Sequence, residues 1–250
     1  MRPGFSRAHD RLHDGAAGSL MGALFGDDLL PRNPQEIAPG CQWVPGWLKE
    51  RQQTWLVEQH PRWAAGPVPA HRPEVRGGRM TVAMVPFGWV WTSTGMARVA
   101  EQGAPGARPL PVPEWMQRVY RRALAAAGFD AWHATGVVPD AALLNHYAPG
   151  ASMGMHRDAD EPSEAPVVSL SVGDACTFRF GNTETRTRPW TDLRLESGDL
   201  VVFGGSARRA YHGVPAIHTG TAPAPVAAAM ARVGLTGRLN LTLRVSGLES

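Results

Sequence analysis

Cysteine is scarce in this chain of 250 residues: there are two, Cys41 and Cys176, far apart and in no CxxC spacing. That argues against a disulfide framework and a structural zinc site, and leaves two free thiols suited to a reducing cytoplasm. Long apolar runs are also lacking. None approaches the ~20 residues needed to span a bilayer, so no membrane partner is expected. The opening stretch MRPGFSRAHDRLHDGAAGSLMGALFG has acids inside any basic region and a broken apolar segment, and is not expected to act as a signal peptide. A strong excess of one charge is missing too. Against 22 Asp+Glu stand 25 Lys+Arg, giving net +3 and a pI near 9.3. This balance permits a polyanionic partner without demanding one. Arginine far outnumbers lysine, which suits phosphate and carboxylate contacts and would equally follow from GC-rich coding.

What is present is enough apolar residue, 43%, to build one sizeable domain. Residues 1–40 lack sustained periodicity and are expected to form a flexible extension. WVPGWLKERQQTWLVEQH reads as a strand, a turn at Pro45-Gly46 and a helix with Leu48, Trp55 and Leu56 on one side. Residues 61–79, rich in Pro, Gly and Arg, read as loop. MTVAMVPFGWVWTS reads as one or two strands with a break at Pro86 to Gly88. PVPEWMQRVYRRALAAAGF is the clearest helix, with Pro113 near its start and Gly128 just past its end. Its apolar face comes from Trp115, Val119 and Ala123 together with Met116, Tyr120 and Leu124. From Ala142 onward come short strands: LLNHYA, PVVSLSVG, CTFRFG, DLRLES, DLVVFGG and GRLNLTLRVS. Close spacing of this kind predicts a mainly β fold with flanking helices, a sandwich, barrel or jelly roll rather than βαβ units. The Ala/Pro-rich stretch at 219–231 reads as a linker.

The densest chemistry lies in MHRDADEP, residues 155–162. On extended backbone His156 and Asp158 point to one side and can reach a common point, though a lone HxD arises by chance in many chains. His212, in YHGVP, supplies a third candidate ligand. Two histidines and one carboxylate with open positions make the facial triad of non-haem Fe(II) oxygenases. In RLNLTLR, Arg238, Asn240, Thr242 and Arg244 share one strand face and the leucines the other. Were that face inward, its arginines would demand anions, and a dicarboxylate would serve; were it outward, they would simply be solvated. Asn145 and Tyr147 alternate onto one face of LNHYA in the same way.

Together, NHYAPGASMGMHRDADEP, SLSVGDACTFRFG, LESGDLVVFGG, YHGVP and RLNLTLR resemble the catalytic core of the AlkB family, the Fe(II)/2-oxoglutarate dioxygenases that demethylate nucleic-acid bases. The resemblance is clear from about Met80 to Val245; over 41–79 it is limited to a loose VPGW entry to a helix. It implies a double-stranded β-helix, or jelly-roll, core over about 142–246, inside a dioxygenase domain at 41–250, with a nucleotide-recognition lid over about 61–110. It implies that His156, Asp158 and His212 hold Fe(II), and that Asn145, Tyr147, Arg238, Asn240, Thr242 and Arg244 bind 2-oxoglutarate. Arg238 with Tyr147 would take the distal carboxylate, and Arg244 with Asn240 the one beside the keto group. Oxygen is the third reactant. The activity implied is oxidation of an N-methyl carbon, with succinate and CO2 formed from the cosubstrate and formaldehyde released.

For the substrate, the resemblance places Asp160 near the exocyclic amine of the base, where a carboxylate would favour cationic 1-methyladenine or 3-methylcytosine. Asp160 could equally orient a ligand or cap a turn, and Glu161-Pro162 would shape that turn. Trp91 matches the stacking position, with Trp89 its competitor and core packing the alternative for either. Met80 is a further candidate substrate contact. Arg208, with Arg157, Arg186 and Arg188, is a candidate phosphate contact or a solvated surface arginine. The tyrosine expected a few residues after the stacking tryptophan is absent; Met96, Ala97 and Arg98 stand there. The expected partner is methylated single- or double-stranded DNA or RNA/tRNA, with DNA repair favoured, acted on by a cytoplasmic monomer. The alternatives are a tRNA/RNA demethylase, a 2-oxoglutarate oxygenase acting on something other than nucleic acid, and a nucleic-acid-binding module without catalysis.

Overall fold

The computed structural model describes residues 32–75, 78–92 and 95–248. All but the first two of these belong to one compact unit, Pro34–Ser250. Its architecture follows from strands whose two faces have different neighbours. In β15 (Arg238–Arg244) the leucines at 239, 241 and 243 are at most 2% exposed and pack under helices, while Arg238, Asn240, Thr242 and Arg244 face the other way. The neighbouring β10 (Val167–Gly173) divides likewise, Val168, Leu170 and Val172 going to the helices, and Ser169 and Ser171 to the far side.

β15 and β10 lie within a seven-stranded antiparallel sheet. Its order runs β1 (Gln35–Ala38), β2 (Cys41–Val44), β13 (Leu200–Phe203), β10, β15, β8 (Ala141–Tyr147) and β5 (Ala83–Phe87). The second sheet has four strands in the order β12 (Thr191–Leu195), β11 (Ala175–Phe180), β14 (His212–His218), β9 (Met153–His156). A core of residues from both, including Tyr147, Val167, Val201 and Phe203 from one and Phe178, Phe180 and Val214 from the other, packs the sheets face to face. This is the jelly-roll core expected. The outer face of the larger sheet is covered by α1 (Glu50–Ala64), α2 (Glu114–Ala126) and α4 (Ala224–Arg232), with the short α3 (Asp130–Ala134) following α2. Among the described residues no helix is long and apolar enough to cross a membrane.

Several expectations are corrected. The division between units falls after Asn33 rather than at residue 40, because β1 pairs with β2 and extends the larger sheet; residues 1–31 lie outside the described residues. The loop expected from 61 begins as helix. α1 continues through Pro61 to Ala64 because Trp63, 8% exposed, stacks on Trp115 at 5.9 Å and meets Phe87 edge-on, and this packing outweighs the backbone bond that proline forfeits. Leu48 is buried but precedes the helix, and Trp55 is 41% exposed. The stretch at 219–231 is no linker. Val226, Ala229 and Met230 form the buried side of α4. The lid expected over 61–110 is interrupted by β5, an edge strand where Pro86 is tolerated because its missing N–H faces no partner strand. What projects beyond that edge is a pair of hairpins, β3 (Glu74–Val75) with β4 (Gly78–Arg79) and β6 (Val90–Thr92) with β7 (Gly95–Ala97). The chain turns into the second at Gly88 (φ 72), where a Cβ would lie 1.8 Å from the Asp140 carbonyl oxygen.

Candidate active site

β9 and β14, two of the strands not read from the sequence, carry the histidines. They pair with His212 directly opposite His156, which brings the rings to 4.5 Å between centroids. Asp158 follows two residues after the end of β9. The three side chains offer ligand atoms all within 4.8 Å of one another, and this is the one such His/Cys/Asp/Glu cluster among the described residues. Each histidine is oriented by its own backbone: Nδ1 of His156 donates to Gly154 O and Nδ1 of His212 to Ala210 O, both at 3.0 Å. That choice of tautomer leaves both Nε2 lone pairs facing the carboxylate, at 3.9 Å and 4.0 Å from its oxygens. Burial, and secondarily His156, pull the His212 pKa down to about 4, so that His212 is a neutral ligand at physiological pH.

Asp158 is clamped at both ends. Its Oδ2 receives Nε and Nη2 of Arg244 at 3.0 and 2.9 Å, and its backbone oxygen receives Arg208 and Arg209 at 2.9 and 3.1 Å. Burial would raise its pKa, but Arg244 foremost, then both histidines and Arg208, hold the carboxyl well below the usual carboxylate range. Arg244 also lies 3.6 Å from Glu161, which is 1% exposed and 3.5 Å from Arg208 on its other side. Two corrections follow. Glu161 is a buried countercharge between two arginines, not merely a turn-former. Arg208, 1% exposed and donating to Ala165 O and Asp158 O, is withdrawn from solvent and is no phosphate contact.

Next to the triad is a polar chamber between the sheets. Arg238, 1% exposed, donates Nη2 to Ser171 Oγ at 3.0 Å, while its Nε and Nη1 have no partner among the described residues. Its guanidinium lies 5.1 Å from the Tyr147 ring, whose hydroxyl donates to Met153 Sδ at 3.6 Å. Burial pushes the Tyr147 phenol up to about 12, keeping it a neutral donor. Asn145 Oδ1 is unpartnered as well. A buried cation with two unpartnered nitrogens is costly, and a carboxylate seated on it removes the cost. The chamber therefore fits an anion beside a two-His, one-carboxylate metal site, which is the chemistry of 2-oxoglutarate on Fe(II). Asn240 and Thr242 differ from expectation. Asn240 spends its amide on Ser169 and Leu170 and accepts from Asn145, and Thr242 donates to Leu143 O at 3.5 Å, so both brace the chamber rather than present free groups to it.

At the mouth, the structure separates the two tryptophans. Trp89 is 6% exposed, bonded through Nε1 to Asp140 and covered by Arg98 at 4.0 Å. Trp91 is half-buried on β6, with Arg244 5.1 Å from its ring. Asp160 is exposed and close enough to act electrostatically on Arg244. Met80 is half-buried at the end of the β3–β4 hairpin, its N–H on Pro73 O. Exposed Arg157 and Arg186 approach the Tyr211 ring at 5.4 and 5.7 Å, beside His212.

Known proteins share this arrangement of sequence and fold. The profile of the 2OG-Fe(II) oxygenase superfamily matches residues 40–244. The alpha-ketoglutarate-dependent dioxygenase AlkB of Salmonella typhimurium is 37% identical over 229 residues, covering 88% of this chain and 96% of that protein. The DNA N(6)-methyladenine demethylase ALKBH1C of Arabidopsis thaliana is 28% identical over 225 residues, 83% of this chain and 49% of that one. The solved structure of OsALKBH1 superposes with a TM-score of 0.74 at 28% identity, covering 85% of this chain and 99% of that chain. The chain belongs to the 2OG-Fe(II) oxygenase superfamily and, within it, to the AlkB family, and is thus an Fe(II)/2-oxoglutarate-dependent dioxygenase.

Proposed function

We propose that this enzyme is an oxidative demethylase of alkylated nucleic-acid bases of the 1-methyladenine and 3-methylcytosine type, with DNA favoured over RNA. The observation that carries this reading is the mouth of the site: a half-buried indole, Trp91, and an exposed carboxylate, Asp160, stand within reach of Arg244 and hence of Asp158. An aromatic face and a carboxylate beside an oxidising centre suit a flat, cationic ring.

His156, Asp158 and His212 would hold Fe(II), which with 2-oxoglutarate and O2 supplies the oxidising power for an N-methyl carbon. Arg238 and Tyr147 bind the distal carboxylate of the cosubstrate, and Asn145 lies beside them. Arg244 keeps Asp158 ionised and turns its second oxygen toward the histidines. Trp91 stacks the base that has left its helix, offsetting an unstacking cost of about a few kcal/mol. Asp160 favours the methylated, cationic base over its neutral product. Arg157 and Arg186 hold the flanking phosphates, which positions the methyl group without contributing sequence preference. The hydroxymethyl group so formed on a ring nitrogen leaves as formaldehyde.

The test is mass spectrometry of a single-stranded DNA oligomer and a tRNA, each carrying 1-methyladenine or 3-methylcytosine, after incubation with enzyme, Fe(II), 2-oxoglutarate and oxygen. The expected result is loss of one methyl mass from the DNA and none with His212→Ala. Loss mainly from the tRNA moves the role to RNA. Succinate formation with no loss from either substrate sinks base demethylation while leaving the dioxygenase intact.

A further inference from the structure

Beyond the mouth of the site, the segment joining β11 to β12 carries a second aromatic platform that the demethylation chemistry does not use. Arg188, Pro189, Trp190 and Asp192 line an open cleft of about 560 Å3, inside the range of about 300–1,000 Å3 typical of small-ligand sites. Its floor is fixed. Arg179 is bound to Asp192 by two 2.7 Å bonds and lies 4.4 Å from the Trp190 ring, so the acid in the cleft is neutralised and the indole is supported from its own sheet. Arg188 is different: it is exposed, 5.4 Å from the same ring, and in no ion pair among the described residues.

The loop is ordered by its own bonds and is continuous with the catalytic rim. Asn182 accepts the N–H groups of Glu184 and Thr185 at 2.8 and 2.9 Å and donates to Pro189 O at 3.3 Å. Gly181 and Asn182 pair with the backbone of Tyr211, the residue before His212. From the triad outward the chain thus presents Arg157, Tyr211, Arg186, then Arg188 and Trp190. The sole exposed acid within the loop is Glu184. Alternating guanidinium and aromatic groups on a preordered loop match an unstacked polyanion with flat rings.

We propose that this cleft is a second nucleobase site, which takes an unpaired base of the same strand on the Trp190 indole, with Arg188 holding its phosphate. The proposal rests on the demethylase reading for its substrate class. Because a stacked duplex hides its base faces, the site confers a preference for single strands.

Fluorescence anisotropy of labelled DNA 9-mers tests it, using a single strand with central 1-methyladenine, the same strand in a duplex, and unmethylated oligothymidylate. Trp190→Ala should weaken single-strand binding about 5-fold or more, the lower end of aromatic stacking, and duplex binding about 2-fold at most. Trp190→Phe should retain most of the affinity. Arg188→Ala should lower the slope of log K against log salt by about 0.7. Wild-type affinity in Trp190→Ala, equal losses on single strand and duplex, or an unchanged salt slope in Arg188→Ala each overturns the proposal; the last holds even if Trp190→Ala fails to fold. Oligothymidylate separates the two readings. If the wild type binds it in a Trp190-dependent way yet demethylates nothing, the activity falls and the cleft stands. If it demethylates while Trp190→Ala binds normally, the cleft falls alone.

Discussion

Two arginines on one strand face divide the labour at the site, and they should fail differently. Arg238 has two unpartnered nitrogens in a buried chamber, whereas Arg244 is committed to Asp158. Arg238→Ala should therefore raise the KM for 2-oxoglutarate at least about 10-fold, as loss of a charge-assisted contact implies, with Fe(II) affinity intact. Arg244→Ala should weaken Fe(II) as well, because Asp158 loses the group that holds it ionised and oriented. Isothermal titration with each ligand separates the cases; equal effects of both variants on both ligands would refute the division. Glu161 is the third residue to probe. Removing it leaves Arg208 without its carboxylate in a fully buried position, and Glu161→Ala should cost about 3–5 kcal/mol in urea unfolding. The triad could be read from sequence because HxD and a distant histidine carry their spacing with them. Arg208 and Glu161 could not, since a charged letter looks the same whether solvated or buried; only the partner across the fold tells which.

Among the elements, legibility tracked how strictly a segment repeats. β15 alternates leucine with polar residues over seven positions, and α2 repeats its apolar face at four-residue intervals, so both were legible. β9, MGMH, is short and contains glycine, and β14 holds Gly213 and Pro215, so neither shows a strand pattern although pairing within the four-stranded sheet makes both. α4 hid behind Pro223 and Pro225 at its start, positions where proline is compatible with a helix. Pro61 signals the end of α1 in the sequence, and tertiary packing carries the helix past it. That packing is measurable: Trp63→Ala should destabilise the protein by about 3–5 kcal/mol, because the indole meets Trp55, Phe87 and Trp115 at once. A loss below about 1 kcal/mol in chemical denaturation would show that Trp63 does not hold the end of the helix.

For the molecule as a whole, acid and metal should act on stability in opposite directions. Burial lowers the pKa of His60, which also faces His146, and that of His212, each to about 4 from an ordinary 6.5. As pH falls from 6.5 toward 4, the unfolded chain binds protons that the folded chain refuses, so stability of the metal-free protein should fall over that window and stay flat above it. Thermal melts between pH 4 and pH 8 check this; a Tm that does not drop on the acid side would contradict it. Divalent metal binding only the folded triad should raise stability by about 2.7 kcal/mol at a hundred times its Kd, and His212→Ala should abolish the rise.

The placement of β15 at the heart of the larger sheet, with the β6–β7 hairpin attached outside its edge strand, has a consequence for descent. A change in a leucine of β15 disturbs the helices, and a change in its alternate residues disturbs the chamber, so drift there is doubly penalised. The hairpin pairs only with itself among the named strands and can be lengthened, shortened or exchanged without breaking a ladder bond of either sheet. Lineages sharing this barrel can therefore diverge in what they recognise while inheriting one oxidation machine nearly unaltered, and grafting the hairpin of a relative is the shortest engineering route to a new target.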